Sequence, residues 1–163
     1  MALNEICEKI KSALKDNEQG LRQLCAVCPR RSFFITLDVH GMELPAFRIN
    51  ARDEGGLDIR SLALGEEETT KILRSDTAAP PTERELTLAC DMVREVLKIE
   101  REVPKAIYNV AQSCPKHSFN LHCRVRGTRV FLTRFWPVPE ERMLGAEFAD
   151  RKYEDEYESF RAD

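Results

Sequence analysis

Two short motifs have the spacing of metal ligands, Cys25-Ala26-Val27-Cys28 and Cys114-Pro115-Lys116-His117. Ligands two residues apart can converge on one zinc ion, because a short loop lets both donors point at one tetrahedral centre. If two helix ends meet, Cys25, Cys28, Cys114 and His117 would enclose one metal. The competing reading is packing. Cys25, Cys28 and Cys114 all fall on apolar helical stripes, and Cys is among the most buried residue types. The counterpart of His117 is Arg31, which is no ligand. Packing is the preferred reading, so no metal or other cofactor is expected. A redox role fits less well, because reactive CxxC thiols are activated at helix N-termini and these sit at a predicted C-terminus.

The second candidate is a charged hairpin. Lys116, Arg124, Arg126, Arg129 and Arg134 lie between Cys114 and Trp136 without a single acid among them. Alternation predicts Arg124 opposite Arg129, on the side away from Cys123 and Val130. Like charges directly opposed are destabilising, so the arrangement favours an anionic neighbour: phosphate, nucleic acid or an acidic protein segment. An earlier hairpin carries Asp38 and Glu43 at the matching positions, so internal pairing of the two charge sets is the alternative. His122 falls on the hairpin side opposite Cys123, beside Phe131, and reads as a surface or interface histidine rather than a base.

From Glu140 onward there are nine acids and four bases, a net of −5 that leaves the rest of the chain at +2. Ala146, Ala149, Tyr153, Tyr157 and Phe160 recur at spacings of three and four, which predicts one face of an acidic helix. Such a face either packs on the chain's own sheet or presents Tyr153, Tyr157 and Phe160 to a partner, aromatics being common interface anchors. No phosphate-binding glycine loop, HExxH or GxSxG motif occurs, and no enzymatic activity is expected.

The elements that must position these residues follow from composition and periodicity. The 163 residues are 42% hydrophobic and 33% charged with a net charge of −3, which suits one globular domain and excludes a uniformly basic nucleic-acid coat. No apolar run reaches the roughly 18 residues needed to span a bilayer. The start, MALNEICEKIK, interleaves charges with apolar residues and is not read as an export signal. The six cysteines are therefore expected as reduced cytoplasmic thiols.

Residues 28–49 and 114–135 align at an offset of 86 with seven identities in 22 positions. They are Cys28/Cys114, Pro29/Pro115, Ser32/Ser118, Phe33/Phe119, Val39/Val125, Gly41/Gly127 and Arg48/Arg134. Upstream, Leu21, Leu24, Cys25 and Cys28 share their helical spacing with Ile107, Val110, Ala111 and Cys114. This reads as a duplicated helix–hairpin unit. Repeat 1 is assigned to about 1–64, a linker to 65–81, repeat 2 to about 82–136, and the acidic helix to 140–163, all in one domain.

Thr82 and Glu85 form a capping-box signature, followed by the stripe Leu86, Ala89, Cys90, Val93, Val96 and Leu97. The expected fold class is α+β: an antiparallel sheet of four to five strands with helices mainly on one face, in the order α-βββ-α-ββ-α. That order resembles the secretion-chaperone fold, which is built as small acidic dimers that bind extended protein segments. A homodimer is expected because the hairpins and the C-terminal helix leave strand edges and apolar faces to cover, and a protein partner because of the duplication, the charge-inverted hairpins and the aromatic acidic helix. The functional expectation is a cytoplasmic, non-catalytic protein-binding module such as an adaptor, inhibitor or chaperone. Nucleic-acid or phosphorylated-ligand binding through the arginine hairpin is the alternative, and no membrane partner is expected.

Overall fold

A computed structural model describes residues 3–28, 31–39, 42–61, 81–125 and 128–163. Four helices and seven strands are formed among them. Helix α1, Leu3–Asp16, buries Ile6, Cys7, Ile10 and Leu14 on one stripe. It stops at Asn17, whose side-chain amide donates to the Ala13 carbonyl at 2.7 Å. Helix α2, Glu18–Cys25, buries Gly20, Leu21, Leu24 and Cys25 and ends ahead of Pro29, which cannot continue it.

The capping box is formed as expected. Thr82 accepts from the Glu85 backbone N–H, the Glu85 carboxylate accepts from the Thr82 N–H, and α3 runs Glu83–Ile99. Helix α4 opens at Glu102, two residues before the proline expected to start it, and spans Glu102–Ser113. Pro104 still lies in the first turn, where a missing N–H costs nothing.

The strands are β1 (Ser32–Val39), β2 (Met42–Ala51), β3 (Leu57–Ser61), β4 (Phe119–Val125), β5 (Thr128–Val138), β6 (Met143–Phe148) and β7 (Glu158–Arg161). They form one antiparallel sheet in the order β3-β2-β1-β4-β5-β6-β7. Two hairpins meet at its centre through β1 and β4, with Ile35 opposite Leu121. Their internal registers correspond residue for residue: Phe33 faces Ile49 as Phe119 faces Phe135, and Leu37 faces Leu44 as Cys123 faces Val130. Each register shifts once, between Ile35 and Thr36 in one hairpin and between Leu121 and His122 in the other. Arg31 and His117, which lead into the two hairpins, both have left-handed backbones, with φ of 53° and 50°.

Phe33, Ile35 and Leu37 of β1 join Phe119, Leu121 and Cys123 of β4 in one core with Leu14, Leu24, Val93 and Ile107 from the helices. The helices thus pack on one face of the sheet. Within the core, α2 crosses α4 closely enough that Gly20 lies directly against Ala106 and the Glu102 carbonyl.

Three expectations need correction. The sheet has seven strands rather than four or five, and each hairpin is preceded by two helices, so the order departs from that of the secretion-chaperone fold. The segment expected as a helix over 140–163 forms β6 and β7. Leu144, Ala146 and Phe148 are buried while Met143 and Glu147 are only partly covered, a period of two that the surrounding acids obscured. The proposed linker 65–81 lies outside the described residues except for Pro81. No described helix is long and apolar enough to cross a membrane.

Candidate functional site

The cysteines are core residues, and all six are buried with free thiols. Burial pushes the Cys25 and Cys114 pKa values up to about 12. Cys28 shares a hydrogen bond with Cys123, and this bond together with burial raises the Cys28 pKa far above the usual thiol range. Cys114 donates its thiol to the Val110 carbonyl of its own helix. The four candidate ligands are thus not brought together: Cys28 meets β4, Cys114 turns back on α4, and His117 is exposed. Among the described residues no three ligand-type side chains converge. Cys25, Cys28, Cys90 and Cys114, held protonated in this way, are poor nucleophiles.

The sheet side away from the helices gathers most of the other candidates. Strand alternation sets Phe34, Thr36, Asn120 and His122 at its centre, opposite in sense to the core residues Phe33, Ile35, Leu121 and Cys123. The Arg48 guanidinium lies over the Phe34 ring at 5.9 Å. His122 is buried, with its ring edge-on to Phe131 at 5.6 Å, which corrects its assignment to the surface. On β5, Arg134 is exposed, paired in register with Asn120 and Glu147, and makes no ion pair among the described residues. Next to it Trp136 lies flat on Gly145, where any Cβ would enter the indole ring, and reaches Tyr157 at 5.8 Å.

The backbone register sets Arg124 opposite Arg129, as alternation predicts, and Asp38 opposite Glu43. Both arginine positions lie on the same side of the sheet as the His122–Phe131 pair. Because β1 and β4 run antiparallel about Ile35 and Leu121, the hairpin tips point to opposite ends of the sheet. Extending that register brings position 38 level with position 118, six residues from 124, or about 20 Å along the strand. The register thus separates positions 124 and 129 from positions 38 and 43 along the sheet. Arg126 lies outside the described residues.

The remaining candidates separate. Lys116 is exposed at the far end of β4 from the hairpin tip, and Tyr153 is exposed in the loop between β6 and β7. Phe160 is buried on the helix side of β7, so the three aromatics of the supposed helix face do not share a surface. Tyr157 alone joins the arginine side, through Trp136. Sequence reading missed Trp136 and Arg48, although the i, i+2 relation of Trp136 to Arg134 was available as a signal.

Sequence reading also missed the densest charge cluster. Arg94 on α3 makes paired bonds to Asp150 at 2.6 and 2.9 Å, and further bonds to Glu158 at 2.6 Å and Asp91 at 2.8 Å. Its guanidinium stacks 4.1 Å over the Phe148 ring. The bond to Asp150 raises its pKa further, so the charge is permanent. This cluster ties α3 to β7 and to the turn after β6.

No family model matches this chain, and neither a curated protein nor a solved structure matches it.

Proposed function

We propose that the protein is a non-catalytic binding module whose working surface is the arginine hairpin and the adjoining sheet side, and that its partner is an acidic protein segment. One observation carries the reading. Arg124 and Arg129 are opposed in register, and the acids at the matching positions of the other hairpin, Asp38 and Glu43, belong to a tip at the other end of the sheet. Like charges held directly opposite in register favour an external anion. Exposed Arg134 extends the cationic strip, and Trp136 and Tyr157 supply flat apolar area beside it.

The same aromatics favour a second reading, nucleic acid, because bases stack on exposed rings next to cations. We also read the chain as a duplicated αα-hairpin unit. The shared hairpin register, the matching bulges and the left-handed pair Arg31/His117 support this, as does the contact of Gly20 with Ala106, all at an offset of 86.

The test compares the protein with a variant carrying Arg124→Ser, Arg126→Ser and Arg129→Ser, by titration with an aromatic-containing acidic peptide and with a single-stranded oligonucleotide. Loss of roughly 1–3 kcal/mol of peptide affinity, with a flatter salt dependence and a near-parental melting temperature, is the expected result. Tighter binding of the oligonucleotide, lost in the same variant, would select the second reading. Unchanged binding of both probes would remove the hairpin from consideration.

A further inference from the structure

Helix α3 is apolar on two sides, and among the described residues only one of them is covered. Cys90, Val93 and Leu97 are buried in the core, whereas Leu88, Met92 and Ile99 are 56%, 50% and 63% exposed. With Ala89 and Val96 they form a second stripe at spacings of three and four. Across from it stand Ala26 and Val27 at the end of α2.

Two adjoining hollows of about 410 and 300 Å³ share Ala26, Val27 and Met92. Together they follow α3 from Glu85 to Glu100, a length of roughly 22 Å at the rise of an α-helix. Exposed large apolar side chains gathered along one helix signal an interaction surface rather than chance.

The charges around the groove choose the occupant. Glu95 and Glu100 edge one hollow, which has no cation in its lining among the described residues, and Glu85 borders the other. Among the described residues the one basic lining residue, Arg31, is already paired with Asp53 at 3.3 Å. A second copy of this chain is a poor fit, because Glu95 lies near the middle of the Leu88–Ile99 stretch. A twofold axis there would set Glu95 against Glu95.

We propose that this groove docks a basic amphipathic helix of a partner protein. Its apolar side chains at i, i+3 or i+4, and i+7 enter between Val27 and Met92, and its lysines or arginines meet Glu95 and Glu100. The site is independent of the arginine hairpin, lying on the helix side of the sheet and taking the opposite charge.

Fluorescence anisotropy of the full chain with a labelled helical peptide of about 15 residues, leucine on one face and lysine on the other, tests it. The length matches the groove. Binding that weakens with salt is expected, and the leucine/glutamate counterpart should not bind. Glu95→Lys/Glu100→Lys and Met92→Lys should each lower affinity at least about tenfold while the far-UV spectrum and melting temperature stay near parental, since Met92 and Glu95 are exposed and Glu100 is only half-buried.

The Arg124→Ser, Arg126→Ser, Arg129→Ser variant should bind this peptide normally, which separates the groove from the hairpin. Equal binding to parent and Glu95→Lys/Glu100→Lys protein would overturn the proposal. So would absence of peptide binding, or a species of twice the chain mass in light scattering that Met92→Lys dissociates.

Discussion

Replacing Gly20 by alanine should destabilise the protein, against the ordinary preference of helices. Alanine at a helix interior is favoured over glycine by about 1 kcal/mol, and Gly20 lies inside α2. The crossing with α4 reverses the sign. An added Cβ would stand 2.6 Å from the Ala106 Cβ and 2.7 Å from the Glu102 carbonyl oxygen. Neither neighbour can rotate away, because one is the first side-chain atom and the other is backbone. Forcing a methyl into a packed core costs about 1–3 kcal/mol, and two rigid contacts put this site at the upper end. The net loss is then about 2 kcal/mol, or roughly 4–8 °C in melting temperature for a chain of this size.

Urea unfolding followed by circular dichroism measures it. Gly20→Ala/Ala106→Gly removes the Cβ contact but leaves the carbonyl one, so only part of the loss should return. A Gly20→Ala protein as stable as the parent, or more so, would refute the close crossing of α2 and α4.

Arg94→Met should cost about 3 kcal/mol in denaturant unfolding, because Asp150, with a side chain only 10% exposed, loses its paired counterion. Arg94→Lys should recover little, since an ammonium cannot reproduce the paired bonds; full recovery would show that charge alone matters. Alkaline pH should destabilise the fold. Cys25, Cys90 and Cys114 have pKa values pushed up to about 12, chiefly by burial, so their contribution is complete below the ordinary thiol value and fades as pH rises from there toward 12. Each thiol accounts for about 1.4 kcal/mol per pH unit in that window, and a flat urea midpoint between pH 8 and pH 10 would contradict the burial. Gly145→Ala should displace the single tryptophan from β6 and break its contact with Tyr157, which a red-shifted emission spectrum would report. An unchanged spectrum would place Trp136 elsewhere.

Features set by near neighbours were legible in the chain itself. Pro29 ended α2 ahead of the first hairpin, the Thr82–Glu85 box opened α3, and alternation over Phe119–Val125 placed Arg124 opposite Arg129. The repeat at an offset of 86 was visible in the chain, and the two hairpins have matching registers at that offset. Such signals depend on residues a few positions apart, where steric limits and hydrogen-bond geometry act without reference to the rest of the molecule.

The last segment was misread because its residues suit two periods at once. Ala146, Ala149, Tyr153, Tyr157 and Phe160 satisfy a helix, and Leu144, Ala146 and Phe148 satisfy a strand. The free edge of β5 decided between them by offering a ladder of unpaired backbone groups and a flat indole over Gly145. Tertiary structure alone also sent Cys28 to Cys123 rather than to Cys114, and buried His122 against Phe131. It left the outer stripe of α3 uncovered and set the two charged hairpin tips at opposite ends of the sheet. The placement of the tips follows from the antiparallel pairing of β1 with β4, a contact between residues some 86 positions apart. Such a pairing is chosen by the total burial it permits, and that total is a property of the assembled core rather than of any stretch of chain.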